Sequence, residues 1–141
     1  MIELYTAATP NGRKISIALE ELELPYSVHR IDISKGDQHS PEFTRISPNQ
    51  KIPAIADTAS GISLFESGAI LLYLANKAGR LLPQGEEAYW ATIQWLMWQK
   101  GGFGPMLGQA LHFLKFNPGK APYAEARFRQ ETGRLYGVLD A

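Results

Sequence analysis

The chain has no cysteine. It therefore forms no disulfide, offers no thiolate nucleophile of its own and builds no thiolate metal site. Any sulfur chemistry has to arrive with a bound small molecule. Net charge is also missing, since 14 Lys and Arg balance 14 Asp and Glu. A neutral chain has no electrostatic footprint for a polyanion, which sets nucleic acid aside as a partner. The histidines, His29, His39 and His112, have no ligand-like spacing and read as surface or packing residues rather than as a metal site. No long apolar run is present. The longest, Gly68 to Ala75, is too short to cross a bilayer, so no membrane association is expected. The opening MIELYTAATP carries an acid and lacks the basic start and apolar stretch of a secretory leader, which points to the cytoplasm. There are no repeats and no low-complexity segments.

What remains is a packable chain of 141 residues, 45% apolar and 20% charged, long enough for one small domain and part of another. Ile2 to Thr6 reads as a strand, with Ile2, Leu4 and Thr6 on one face. Thr9-Pro10-Asn11-Gly12 turns the chain, with Thr9 placed to cap a helix and Pro10 at its first position. Ile15, Ala18, Leu19 and Leu22 recur at helical spacing until Pro25. Tyr26 to Ile33 alternates as a second strand, and Pro41 to Ile46 forms a short helix or a loop. Pro53 to Asp57 and Ile62 to Phe65 are short strands joined at hairpin length. A helix capped by Ser67 then runs to about Ala78 and stops at Gly79.

The helix between the first two strands makes them parallel; the last two are antiparallel. The expected fold class is a thioredoxin-like α/β domain, βαβ-α-ββα, with a mixed sheet and helices on both faces, over residues 1–79. Residues 80–85, with Pro83 and Gly85, form a linker, and residues 86–141 are a partial all-α domain. There Glu86 to Leu114 reads as one long helix with a kink or break at Pro105. A last helix runs from Pro122 to about Leu139, with Phe128, Leu135, Val138 and Leu139 expected inside.

Three short segments carry chemistry. Ile52-Pro53 opens a strand, where the missing proline N–H does no harm. A trans bond is the plain reading. A cis bond in this context would leave the preceding main chain open at the sheet edge for an extended peptide. Glu66-Ser67 lies at a helix start, where free N–H groups hold a carboxylate while Glu66 can pair with an ammonium; together they suit an α-amino acid head group. A simple cap is the alternative. Thr9 and Asn11 lie at another helix start and can donate hydrogen bonds to a sulfur, where the helix terminus lowers a thiol's pKa. Capping alone would also explain Thr9.

Asn49-Gln50-Lys51-Ile52-Pro53-Ala54, followed by Leu64-Phe65-Glu66-Ser67-Gly68-Ala69-Ile70-Leu71-Leu72-Tyr73-Leu74, resembles the N-terminal domain of the glutathione transferases. Thr9 to Lys14, Lys35 to Gln38 and Gly104 to Gln109 resemble a narrower group, the bacterial nu-class enzymes and their fungal prion-related relatives. The resemblance implies glutathione as co-substrate and no metal. It implies a cis Pro53, with Ile52 pairing its main chain with the cysteinyl part. Glu66 and Ser67 would hold the γ-glutamyl end, and Gln38 and Lys51 would reach the tripeptide backbone or its glycyl carboxylate. Thr9 and Asn11 would face the sulfur. Arg127 would contact a second glutathione, although its pattern alone reads equally as a solvated helix arginine.

The implied activity is disulfide reduction by bound glutathione, in a homodimer. Two alternatives stand beside it. One is conjugation of glutathione to an apolar electrophile, with Phe103, Met106 and Phe113 lining the pocket. The other is a regulatory protein that binds glutathione without turnover. Members of the family continue through further helices, so the helical domain is expected to be incomplete.

Overall fold

A computed structural model of the chain describes residues 1–141. The chain divides into two compact units, Met1–Pro83 and Gln84–Ala141. In the first, β1 (Ile2–Thr6) leads through a turn into α1 (Pro10–Glu21) and back through β2 (Tyr26–Arg30). A short 3₁₀ turn, Asp37–His39, precedes α2 (Pro41–Ile46). Then come β3 (Ala54–Asp57), β4 (Ile62–Phe65) and α3 (Ser67–Ala78). The sheet order is β2-β1-β3-β4. β1 pairs parallel with β2, from Ile2 opposite Tyr26 to Thr6 opposite Arg30. It pairs antiparallel with β3, from Ile2 opposite Asp57 to Tyr5 opposite Ala54, and β3 pairs antiparallel with β4.

Side chains alternate across a strand, so β1 feeds both faces. Ile2 and Leu4 join Ile55 and meet Ile15, Ala18, Leu19 and Leu22 of α1 and Ile70 and Leu74 of α3. That is the main core. Tyr5 points the other way. Its ring stacks on His29 at 4.6 Å and lies 6.2 Å from Phe43, the buried residue of α2. Helices thus cover both faces of a mixed sheet, the thioredoxin-like architecture.

A buried carboxylate ties the far end of this unit together. Asp57, 1% exposed, accepts from Lys77 Nζ at 2.7 Å, from Tyr73 Oη at 2.6 Å and from the Ala59 N–H at 3.0 Å. The lysine and the tyrosine hydroxyl hold the Asp57 carboxyl well below the usual carboxylate range, against the burial that would raise it.

The second unit is helical: α4 (Glu86–Trp98), a π-helical stretch Gln99–Phe103, α5 (Gly104–Leu111), a second π-helical stretch His112–Phe116, and α6 (Pro122–Asp140). The expected break at Pro105 takes the form of a widened turn. Proline lacks the N–H for the normal bond, and the π register ahead of it absorbs the mismatch. The turn is tight at Gly104, where a Cβ would fall 3.1 Å from Gln99 O and would displace the end of the Gln99 side chain. Aromatic rings fill much of this unit. Trp98 stacks on Phe103 at 5.0 Å, and Phe113 lies nearly parallel to Phe128 at 5.5 Å. No helix is long and apolar enough to cross a membrane.

Some expectations need correction. Leu139 is 52% exposed, whereas Leu135 is buried; α6 turns Leu139 outward. β2 ends at Arg30, three residues earlier than its alternation suggested, because β1 has no partner beyond Thr6. Ser67 does not cap α3. The helix begins at Ser67 itself, the cap position belongs to Glu66, and Glu66 makes no side-chain capping bond.

Candidate functional site

The turn after β1 is built around two constraints. Thr9 caps α1, its Oγ1 accepting from the Gly12 N–H at 3.2 Å. Gly12 packs where a Cβ would fall 2.2 Å from the Ala7 carbonyl oxygen and 2.4 Å from Thr6 Oγ1, so only glycine lets the helix start this close to the strand. The cap uses a lone pair of the Thr9 hydroxyl and leaves its proton for another acceptor. Asn11 Oδ1 accepts from Lys14 Nζ at 2.8 Å. That contact turns the Asn11 amide N–H groups away from the lysine. Two donors therefore sit at the positive end of a 12-residue helix.

The loop into β3 is braced from beneath. Ser47, 0% exposed, donates from Oγ to the Lys51 carbonyl at 2.9 Å. Gln50 adopts φ 54, and the Ile52–Pro53 peptide bond is cis. The main-chain N–H and C=O of Ile52 take part in none of the turn, loop or sheet hydrogen bonds of the chain. An extended peptide has an open edge there.

Ala54 pairs with Phe65, which sets Pro53 beside Glu66 and leads directly into the start of α3. Glu66 has φ 72 and ψ 112. This is a left-handed conformation that costs a non-glycine residue about 1–3 kcal/mol and clusters at ligand-binding positions. Ser67 follows at the first helical position, 2% exposed.

A groove of about 590 Å³ gathers five of the expected site residues, Thr9, Asn11, Gln38, Lys51 and Ile52, together with His39 and Gln50. Pro53, Glu66 and Ser67 continue from Ile52 along the strand register. Arg127 is on α6 in the second unit, where it lines a cavity of about 570 Å³ with Gly101, Gly102, Met106 and Phe128. Phe103 and Phe113 are not among the residues lining that cavity.

Sequence reasoning did not find His39 and Gln50 as groove residues, nor the strained backbone at Glu66. Glu66 stands where a strand hands over to a helix, and that junction was its only available signal. No group of three or more His, Cys, Asp or Glu side chains is arranged to hold a metal ion.

As a whole the arrangement offers two helix N-termini, two hydrogen-bond donors beside one of them, and an unpaired strand edge between. It can align a short extended peptide that carries a carboxylate at one end and a sulfur near Thr9.

Comparison with known proteins agrees with this architecture. Residues 1–76 match the family model "Glutathione S-transferase, N-terminal domain". The chain is 56% identical over 145 residues to disulfide-bond oxidoreductase YfcG of Escherichia coli, covering 99% of this chain and 67% of that protein. It is 42% identical over 142 residues to protein URE2 of Meyerozyma guilliermondii, covering 94% of this chain and 46% of that one. Among solved structures, a Pseudomonas fluorescens glutathione transferase family member with two glutathione bound superposes with a TM-score of 0.93 at 50% identity. The match covers 99% of this chain and 64% of that chain. A Pseudomonas putida glutathione transferase with one glutathione disulfide per subunit gives 0.92 at 48% identity, covering 99% and 63%. The chain thus spans under two thirds of the length of these solved relatives and under half of the fungal one. On the family model, the identity and the shared fold, the chain belongs to the glutathione transferase family.

Proposed function

We propose that the chain is the glutathione-binding part of a glutathione-dependent disulfide-bond oxidoreductase of the nu-class type. The observation that carries this is the pairing of an absent cysteine with two free donors, the Thr9 hydroxyl and the Asn11 amide, at the start of α1 in the groove that ends at Ile52. The nucleophile is then the sulfur of bound glutathione. Ile52 pairs with its cysteinyl main chain ahead of Pro53. Glu66 and Ser67 hold the γ-glutamyl head, and Gln38 and Lys51 reach the remaining backbone or the glycyl carboxylate.

Donors and helix terminus favour the thiolate over the thiol. The thiolate attacks one sulfur of a substrate disulfide, forming a mixed disulfide and releasing the other half as a thiolate. A second glutathione thiolate attacks the glutathione sulfur of the mixed disulfide, giving glutathione disulfide and the second substrate thiolate. Two relatives named disulfide-bond oxidoreductases, and solved relatives with two glutathione or one glutathione disulfide bound, support the reading. Arg127 is assigned to the second glutathione on the resemblance of its segment alone. The domain assignment is residues 1–79 for glutathione binding, 80–85 as linker and 86–141 as part of the helical domain. A cytoplasmic homodimer belongs to the same proposal, and sedimentation tests the dimer.

The second reading is conjugation of glutathione to an apolar electrophile. Met106 and Phe128 give it an apolar wall, in a cavity they share with Arg127, Gln130, Glu131 and Arg134. Paired assays with hydroxyethyl disulfide and with a chlorodinitrobenzene-type acceptor separate the two. Turnover of the disulfide is expected to dominate; strong conjugation without disulfide reduction reverses the order. Glutathione binding without turnover of either substrate leaves a regulatory binding protein.

A further inference from the structure

His39 stands between two glutamines on the wall of the groove. Its Nδ1 lies 2.7 Å from Gln50 Oε1, and its Nε2 lies 3.1 Å from Gln38 Nε2. Gln50 is held from behind, its Nε2 donating to Thr44 Oγ1 at 3.3 Å. With the Gln50 amide turned this way, its oxygen faces the ring. An amide oxygen only accepts, so His39 Nδ1 carries the hydrogen. The Nε2 of that neutral ring is then an acceptor, and the Gln38 amide presents its NH₂ to it. The opposite end of the same amide has no such partner. Gln38 Oε1 is buried and makes no hydrogen bond in the chain. A buried carbonyl in that state keeps a desolvation cost that a donor from a ligand would remove.

We propose that His39 is a positioning residue for the ligand: its neutral ring, anchored on Gln50, fixes the Gln38 amide so that Oε1 is kept for a main-chain N–H of the bound thiol peptide. The proposal rests on the reading of the groove as a glutathione site. His39 itself touches no ligand and acts through Gln38. The anchoring is local to this chain's loop. The 3₁₀ turn Asp37–His39 carries Gln38 and His39, and Gln50 reaches them from the loop before the cis proline, where its φ of 54 turns it back.

A double-mutant cycle tests this, with glutathione affinity measured by calorimetry on the full chain. Gln38→Ala and His39→Phe should each weaken binding about fivefold, the size of one neutral hydrogen bond. The double variant should bind no more weakly than Gln38→Ala alone, because both changes break the same link. His39→Gln, whose amide offers an acceptor to Gln38 and a donor to Gln50, should restore most of the loss. His39 is exposed, and melting temperatures of the His39 single variants should match wild type. Independent losses that multiply to about 25-fold would overturn the proposal, as would unchanged affinity in His39→Phe. Wild-type chain that fails to bind glutathione would overturn the underlying reading of the groove as well.

Discussion

Thr9 has two jobs that a single substitution to alanine would confuse. Its oxygen caps α1 and its proton is free for a sulfur. Removing the cap alone costs about 1 kcal/mol. Aspartate caps as well as threonine but has no proton to give at neutral pH, whereas asparagine supplies both cap and donor. Thr9→Asp is therefore expected to keep its melting temperature while disulfide turnover falls about a hundredfold, the scale of one lost donor to a charged centre. Thr9→Asn should retain measurable turnover at the same stability. Full turnover in Thr9→Asp would show that the hydroxyl serves the helix alone. Because Glu66 occupies the cap position, Ser67→Ala should lower glutathione affinity about tenfold, as for a hydrogen bond to a charged group, without the loss of a cap. Calorimetry beside a thermal melt checks both halves. The Thr9 cap was legible because it depends on neighbours within four residues. The left-handed Glu66 was not, because the β3–β4 register and the start of α3 impose it from outside its own segment.

At the level of elements, β3, the turn after it and α3 meet at one buried carboxylate. Asp57 is held ionised by Lys77, with help from Tyr73 and the Ala59 N–H. The sign of its linkage follows from that shift. The unfolded carboxyl titrates near ~3.9 and the folded one lower, so the stabilisation is complete above the unfolded value. It is lost as pH falls toward the folded value. Urea unfolding between neutral pH and strong acid should show this loss in wild type and a flatter profile in Asp57→Asn. Lys77→Met leaves the buried carboxylate with only the N-terminal ammonium, 3.9 Å away, as a cation. It should lower stability at neutral pH by less than the about 3 kcal/mol of a fully unpaired buried charge. Unchanged stability would mean that Tyr73, the Ala59 amide and the N-terminal ammonium suffice. The strands and helices themselves were readable from periodicity, since β1, β4 and α1 each repeat their apolar positions at one spacing. The Asp57–Lys77 pair was not, because it joins residues that only the finished hairpin and helix bring together. The π-helical stretch before Pro105 escaped for a related reason. Proline announces a disturbance but does not say whether the chain breaks or widens.

Across the whole molecule, burial is unevenly shared. Of the buried apolar side chains, only Ala110 and Leu135 belong to the second unit. Trp90 is 59% exposed there, and Trp95, Met97 and Phe116 also face outward. Stability that comes from buried apolar area should follow the same division. In the sequence, Pro83 and Gly85 interrupt two periodic segments near this division. The inequality was not legible, since the apolar positions of α4 and α6 look no different in sequence from those of α1. Leu82 is itself buried, so the chain leaving α3 is packed down before the division. Native-state hydrogen exchange resolved by mass spectrometry should therefore find two levels of protection. Amides of β1, α1 and α3 should exchange only through global unfolding of the first unit. Amides of α4 and α6 should open at lower urea, and those flanking the π-helical stretches first, where the regular ladder is interrupted. Equal opening energies in both units would mean that the stacked rings of Trp98, Phe103, Phe113 and Phe128 hold the helical unit as firmly as the aliphatic core holds the sheet.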